Sequence, residues 1–411
     1  MSSSTRYVID PPSLNILFSV LQLRNYRLVG PTLDDNTIVY DEITTVEDLP
    51  IGWGDDQEPG KYRLRKRDDK ALFGFNLGPH SWKKLLFPSA LKLFSSDRSK
   101  DGSVFVEGGN NGIGPLRDAF AGVQPDRVAF IGVRACELHA VLIQDRVFTG
   151  TMYTDPYYAS LRERSFIVAV NCSQAASTCF CTSMNTGPKA DIGFDLCLTE
   201  VLHESTHYFL VEIGSDKGQE VMKDLTYREA EEQEVEESAG VVEGTAKLME
   251  REMDTADIKR LLQQNLDHPH WEVIANRCLS CANCTMVCPT CFCHTVEDTT
   301  DLTGMHAERW RKWDSCFTVE FSYIHGGSIR TSPKSRYRQW LTHKLANWID
   351  QFGTSGCVGC GRCITWCPVG IDITEEVRTL RESLPLIKSS QAGTTTSQNM
   401  NNTEVNHHGV A

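Results

Sequence analysis

The chain has 411 residues, of which 40% are hydrophobic and 23% charged, as is usual for a globular protein of about two or three domains. Its net charge of −13 makes nucleic acid and anionic membrane surfaces poor partners. No apolar run approaches the roughly 20 residues that a transmembrane helix requires.

The segment from Pro11 to Arg24 predicts an amphipathic helix that packs on the fold. It is interrupted by Asn15 and Ser19 and lacks the basic leader and the small-residue cleavage site of a signal peptide. The chain nevertheless contains 16 cysteines. Without a secretion signal, such a number indicates a reducing compartment in which thiols bind metal, and we therefore expect a cytoplasmic protein.

Two apolar runs, Val128–Val133 and Phe166–Val170, predict buried strands, and the stretch between them predicts a helix through Phe148. A strand–helix–strand unit places both strands parallel, so that their carboxyl ends meet at one edge of a sheet. Ligand sites of open α/β sheets lie at that edge. Further strands are predicted at Phe194–Val201 and Tyr208–Ile213.

Four cysteines converge on this predicted edge. Cys136 and Cys172 follow the two strands, and Cys179 and Cys181 share one side of the chain if that segment is extended. We predict that these four hold a [4Fe–4S] cluster, additional to the two described below. The alternative is a set of four buried thiols, which a cytosolic core tolerates.

A Glu-rich stretch over residues 227–243 predicts a solvated helix or linker near a domain boundary. We therefore expect a multidomain α+β protein. Its parts are an N-terminal α/β domain over residues 1–250, an α-helical ferredoxin-like domain over 251–388, and a polar, disordered tail over 389–411.

Two cysteine runs dominate the second domain, each with the spacing C-x2-C-x2-C-x3-C-P. They comprise Cys278, Cys281, Cys284 and Cys288, and Cys357, Cys360, Cys363 and Cys367. Such runs bind [4Fe–4S] cubes, and the fourth cysteine of each ligates the cluster of the other run. The predicted ligand sets are Cys278, Cys281, Cys284 and Cys367 for one cube, and Cys357, Cys360, Cys363 and Cys288 for the other. Buried thiols or zinc are the alternatives, but zinc sites usually use two separated C-x2-C pairs.

About seventy residues separate the runs, and they include an amphipathic helix predicted from Pro333 to Phe352. The helix suggests an α-helical surrounding for both runs. Cys291, Cys293 and Cys316 remain, with His294 beside them. They could supply zinc or a further cluster. We interpret them as thiols that pack on a cluster and tune its potential through hydrogen bonds to sulfur.

A cube held by four thiolates has no open coordination position, which suits electron transfer. The sequence has no G-x-G-x-x-G after a strand and no paired C-x2-C motifs near both termini for a nickel–iron centre. It therefore predicts a relay subunit of an oxidoreductase complex, with no catalytic residue and no substrate site of its own.

Several motifs together resemble one family. They are G-V-R-A-C-E-L-H-A, T-C-F-C-T-S-M-N-T-G-P, R-C-L-S-C-A-N-C-T-M-V-C-P-T-C-F-C, W-D-S-C, S-R-Y-R-Q-W-L-T-H-K and C-V-G-C-G-R-C-I-T-W-C-P-V-G-I-D. They resemble the beta subunit of cytosolic sulfhydrogenase-type [NiFe] hydrogenases and the related A subunit of anaerobic sulfite reductase. The resemblance covers nearly all of residues 36–385. It implies that the chain passes electrons between a flavin subunit that binds NAD(P)H and a catalytic subunit.

Three functions follow as hypotheses. The first is the relay subunit of an NAD(P)-linked [NiFe] hydrogenase. The second is the equivalent subunit of a sulfite or sulfur reductase with a siroheme partner. The third is an iron–sulfur sensor or scaffold, although two adjacent cubes are more than sensing requires. The choice between NADH and NADPH and the direction of electron flow stay open.

Overall fold

The computed structural model describes residues 6–107, 127–203 and 206–383. The predicted tail over 389–411 lies outside these residues. The strands are β1 Tyr7–Ile9, β2 Tyr26–Asp34, β3 Thr37–Glu42, β4 Trp53–Glu58, β5 Lys61–Lys66, β6 Ala90–Arg98, β7 Val104–Glu107, β8 Arg127–Val133, β9 Ser165–Val170, β10 Leu196–His203, β11 Thr206–Ile213, β12 Arg228–Glu229, β13 His294–Thr300, β14 His306–Trp313, β15 Tyr323–Ile324 and β16 Gly327–Ser328.

The α-helices of the described residues are α1 Pro11–Leu23, α2 Lys83–Leu86, α3 Ala135–Phe148, α4 Pro156–Arg164, α5 Asp216–Met222, α6 Glu232–Lys247, α7 Ile258–Gln264, α8 His270–Arg277, α9 Asn283–Met286, α10 Pro333–Thr342, α11 Trp348–Phe352, α12 Arg362–Thr365 and α13 Ile373–Glu382. None of these helices is long and apolar enough to span a bilayer.

An eight-stranded sheet forms the N-terminal part, in the order β12-β1-β11-β10-β9-β8-β2-β3. The two strands predicted around the βαβ unit are β8 and β9, and they pair in parallel, with Val128 opposite Ser165. Two helices, α3 and α4, make the crossover where the sequence predicted one. The carboxyl ends of β8 and β9 therefore lie at one sheet edge, as the sequence predicted.

Helices cover both faces of this sheet. The predicted N-terminal helix is α1, and Asp10 caps it by accepting a 3.1 Å hydrogen bond from the Ser13 N–H. Its Leu17 and Leu21 are fully buried and pack on one face of the sheet. On the opposite face Leu138 of α3 belongs to a second apolar cluster. Both faces of the parallel strands are thus apolar, which explains their uninterrupted hydrophobic runs.

A second sheet, ordered β13-β14-β6-β7, corrects the expectation of a purely α-helical second domain. Its hairpin β13–β14 lies in the spacer between the cysteine runs, and β14 pairs with β6 from the N-terminal half. The hairpin is polar, with β13 largely exposed and β14 half-buried, so no hydrophobic period marked it in the sequence. Pairing of β6 with β14 also joins the two sides of the boundary predicted near residue 250.

Helices then surround the cysteine runs. The helix predicted from Pro333 to Phe352 consists of α10, a π-helical turn over His343–Asn347, and α11. Its buried face carries Leu341, Leu345 and Trp348, which are at most 1% exposed. A π-turn within an α-helix often marks a functional position, and this one carries the buried Lys344.

Candidate iron–sulfur centres

The two cysteine runs fold alike. Cys278 follows α8, and Ser280 and Ala282 then take left-handed conformations before α9 begins. In the second run Gly359 and Gly361 occupy the equivalent positions before α12. Each run thereby turns a backbone N–H onto its first sulfur, at 3.4 Å from Ser280 to Cys278 and at 3.5 Å from Gly359 to Cys357. Such hydrogen bonds stabilise a thiolate and tune a cluster bound to it.

The first predicted ligand set lies around one pocket. Its wall contains Cys278, Cys281, Cys284 and Cys367. Burial raises the pKa of Cys284 well above its usual value, and the neighbouring thiolates of the other three raise it further. Burial, Cys367 and Cys281 likewise raise the pKa of Cys278. Iron between these sulfurs would supply the positive charge that favours thiolates.

Two buried side chains on the wall of this pocket support the fit. The Tyr337 hydroxyl and Trp340 Nε1 are buried and have no hydrogen-bond partner among the described residues. Orphaned donors of this kind are rare in folded proteins. Sulfide and thiolate sulfurs of a cube accept hydrogen bonds, so the donors present fit a [4Fe–4S] cluster.

The second predicted set also converges, and it includes the cysteine from the other run. Burial raises the pKa of Cys363, and the thiolates of Cys357, Cys360 and Cys288 add to the effect. Cys288 is 8% exposed. The exchange of fourth cysteines between the runs is therefore spatially satisfied, because Cys367 lies with the first set and Cys288 with the second.

A buried lysine contacts the second set. Lys344 is 3% exposed, and its Nζ lies 3.2 Å from Cys288 Sγ and 3.7 Å from Cys291 Sγ. It also donates to the Gly356 carbonyl at 3.1 Å. Burial lowers the pKa of Lys344, but the thiolates of Cys288, Cys291 and Cys357 raise it by more, so that it lies well above its usual value. The thiol of Cys291 and the Lys344 ammonium in turn hold the pKa of Cys288 well below its usual value.

The four N-terminal cysteines also lie together. Cys136 is in the first turn of α3, and Cys172 is two residues beyond β9. Burial raises the pKa of Cys136, and the thiolates of Cys181, Cys360 and Cys172 raise it further. Burial and the thiolates of Cys172 and Cys360 likewise raise the pKa of Cys179. The predicted third set is therefore assembled at the sheet edge, and Cys360 of the second run borders it.

Close backbone packing joins this N-terminal set to the second run. The Phe180 N–H donates to the Gly359 carbonyl at 2.9 Å. Gly359 has φ +64°, and a Cβ at that position would lie 2.6 Å from both the Cys181 Cα and the Phe180 carbonyl oxygen. Glycine is needed here for its conformation and for this close approach.

Gly359→Ala should therefore destabilise the chain more than Gly326→Ala. Both positions have positive φ, but a Cβ at Gly326 would meet nothing within 4 Å. The backbone penalty of about 1–2 kcal/mol is common to both changes. Overpacking at Gly359 adds about 1–3 kcal/mol. Urea unfolding of the two variants measures the difference, and equal stabilities would contradict the close approach.

Among the basic residues near the cysteine runs, Arg362 borders the second set. It is fully buried, contacts Cys360 and pairs with Glu137 at 2.6 Å. The others are engaged elsewhere: Arg277 pairs with Glu376, Arg311 with Asp155 and Lys312 with Glu297. Sequence reasoning missed Lys344, although a lysine amid the apolar face of α10 and α11 was a usable signal.

The three remaining cysteines, Cys291, Cys293 and Cys316, lie beside the second set. Cys291 is adjacent to Cys288, and Cys293 and Cys316 line one pocket with Cys291. Among the described residues, no three Cys, His, Asp or Glu side chains have the spacing for a single metal ion.

Comparisons with known proteins agree with this arrangement. A family model described as a 4Fe-4S dicluster domain matches residues 277–371. Sulfhydrogenase 2 subunit beta of Pyrococcus furiosus is 32% identical over 281 residues, which are 65% of this chain and 81% of the relative. No solved structure matches the chain. The identity and the coverage show that the chain belongs to the sulfhydrogenase beta-subunit family.

Proposed function

We propose that this chain is the iron–sulfur electron-relay subunit of a cytoplasmic, multi-subunit oxidoreductase. In this role it carries electrons between a flavin subunit that binds NAD(P)H and a [NiFe] hydrogenase subunit. The family, the dicluster match and the name of the relative support the proposal. The free state of all sixteen cysteines supports a reducing compartment.

The observation that carries the proposal is that the second cysteine set lies beside each of the other two, an arrangement that we call the row. Cys284 of the first set lies near Cys288 of the second, and Cys360 of the second lies near Cys136 and Cys181. The second set is therefore in the middle. The proposed ligand sets are Cys278, Cys281, Cys284 and Cys367; Cys357, Cys360, Cys363 and Cys288; and Cys136, Cys172, Cys179 and Cys181. A [4Fe–4S] cluster in each set would supply a one-electron couple.

The chain's own residues make this row suitable for electron transfer. Cys136 and Cys181 of the N-terminal set and Cys288 of the second set are each less than 9% exposed, so these three sulfurs are shielded from water. Four protein thiols per set leave no coordination position for a substrate. The positive charge of Lys344 and Arg362 next to the second set favours the more negative, reduced state there.

Lys344→Gln should therefore lower the reduction potential of the cluster at the second set. If the ammonium favours the reduced state by about 1.4 kcal/mol more than the oxidised state, the fall is about 59 mV for a one-electron couple. An EPR-monitored redox titration of the full chain measures it. Lys312→Gln is the control, because the Lys312 side chain is 42% exposed and pairs with Glu297. Equal potentials in the two variants would contradict this role for Lys344.

The function is tested by anaerobic purification of the chain with its partners retained. We expect nickel and flavin in the complex, and we expect both NADPH and hydrogen to alter the cluster EPR signals. Siroheme in place of nickel would replace the hydrogenase assignment with the sulfite reductase one. Signals that neither reductant alters would contradict the relay.

A further inference from the structure

A tetrapeptide, T-C-F-C, occurs twice in the chain, at residues 178–181 and 290–293. Both threonines are fully buried and lie against the second cysteine run. Thr178 Oγ1 is 2.8 Å from Thr365 Oγ1, and Thr290 Oγ1 donates to the Gly356 carbonyl at 2.6 Å. The two copies therefore flank the second run. The first copy belongs to the proposed N-terminal set, whereas the second has no role in the relay described so far.

The second copy has its own thiol neighbour. Cys316 comes from the segment after β14, where the Asp314 N–H donates to the Cys293 carbonyl at 2.9 Å. This backbone contact brings Cys316 close to Cys293, and both side chains line one pocket. The charge of a Cys291 thiolate also raises the pKa of Cys316. Three cysteines from two segments thus converge, and none of them belongs to the ligand sets already proposed.

Two buried lysines face these thiols. Lys83 is 4% exposed, and its charge interacts most strongly with Cys291, then with Cys288 and Cys293. Its Nζ lies 3.4 Å from two backbone carbonyl oxygens and 4.0 Å from the Trp313 ring centroid. Lys344 approaches from the other side, 3.7 Å from Cys291 Sγ.

Neither lysine forms an ion pair with a carboxylate in the part of the chain that the structure describes. A buried ammonium group without a counter-charge is strongly destabilising. Burial accordingly lowers the pKa of Lys83. Independently of charge, Cys291, Cys293 and Cys316 line one pocket, with Lys344 beside them.

We propose that Cys291, Cys293 and Cys316 bind a further iron–sulfur cluster through three thiolates. Binding would replace the three thiol protons with iron, and the three side chains already line one pocket. The wall of the pocket that these cysteines line also includes His343, Gln339 and Trp348. Trp348 Nε1, on that wall, is buried and has no partner among the described residues.

This site differs from the three proposed sets in its exposure. Cys291 is buried, but Cys293 and Cys316 are half-buried and the adjoining pocket opens to the surface. A cluster there would lie next to the second set and close to the surface of the chain. Its role as an entry or exit point for electrons rests on the proposed relay, but the presence of the cluster does not.

The test uses the full chain, prepared anaerobically, with analysis of iron, acid-labile sulfide and zinc. Cys293→Ser and Cys316→Ser should each lower iron and sulfide by one cluster's content relative to the unaltered chain. The EPR signals of the other clusters should persist, which shows that the variants have folded. Cys197→Ala is the matched control, because Cys197 is a buried core cysteine of β10 and should leave the metal content unchanged.

Two results would overturn the proposal: unchanged iron in both serine variants, or loss of zinc in place of iron. The variants Cys281→Ser and Cys179→Ser distinguish failure of the further site from failure of the proposed relay. Each removes a ligand of a different proposed set and should lower iron whether or not the further cluster exists. If these two variants lose iron and Cys293→Ser does not, the relay stands and the further site fails.

Discussion

Cys288→Ser should abolish the cluster that the second cysteine run holds and leave the first run's cluster intact, although Cys288 belongs to the first run in sequence. The physical reason is its position, since its sulfur lies with those of Cys357, Cys360 and Cys363. A serine hydroxyl is a poor replacement for a thiolate on iron. We expect a loss of about four irons per chain, one [4Fe–4S] cluster, measured by iron analysis and EPR of the reduced full chain.

The comparison that decides this prediction uses one further variant from each run. Cys360→Ser should remove the same EPR signal as Cys288→Ser. Cys281→Ser should remove the other signal. If Cys288→Ser instead gives the spectrum of Cys281→Ser, each run binds its own cluster and the exchange of fourth cysteines is wrong.

A side effect of Cys288→Ser separates this ligand from an ordinary buried thiol. Lys344 donates to Cys288 at 3.2 Å and would lose its nearest negative charge. An uncompensated buried cation costs about 3–5 kcal/mol. The double variant Cys288→Ser with Lys344→Met should therefore regain part of the stability that the single variant loses, without regaining the cluster.

Local spacing explains why the sequence could suggest which cysteines lie together. The intervals of two and three residues between cysteines dictate which sulfurs of a run turn inward, and Cys288 and Cys367 are placed by the proline that follows each of them. Likewise, Cys136 and Cys172 could be located because parallel strands end at one edge. In both cases the chemistry is encoded within a short stretch of chain.

The features that sequence reasoning missed depend on distant partners. The hairpin of β13 and β14 has no apolar alternation, and it is held by pairing with β6, some two hundred residues earlier. The role of Lys344 depends on Cys288, which is 56 residues away. No single-sequence pattern reports such pairings, since burial of a charged side chain is decided by the tertiary fold.

Glu137→Ala should be among the most destabilising single changes outside the cysteines. Glu137 is 1% exposed and pairs at 2.6 Å with Arg362, which is fully buried. Its other carboxylate oxygen accepts hydrogen bonds from Tyr40 at 2.8 Å and from Trp82 at 3.0 Å. Removing one partner of a buried ion pair costs about 3–5 kcal/mol. Anaerobic urea unfolding, followed by far-UV circular dichroism, measures the loss.

Two further variants show whether charge or packing is responsible. Glu137→Gln keeps the shape and an acceptor oxygen but removes the charge, so its stability should lie between those of the unaltered chain and the alanine variant. Glu58→Ala breaks an ion pair whose side chains are 61% and 62% exposed, and no measurable change is expected there. If Glu137→Ala were no less stable than Glu58→Ala, the buried pair would have no structural role.

The Glu137→Ala variant also tests whether stability is connected with the row of cysteine sets. Glu137 directly follows Cys136 in α3, and Arg362 lies between Cys360 and Cys363 of the second run. The ion pair therefore ties the N-terminal set to the middle of the row, 225 residues apart in sequence. Glu137→Ala should release iron from the second set to a chelator faster than the unaltered chain does. Release from the first set should be unchanged, because neither Glu137 nor Arg362 is among the residues that line the pocket at that set.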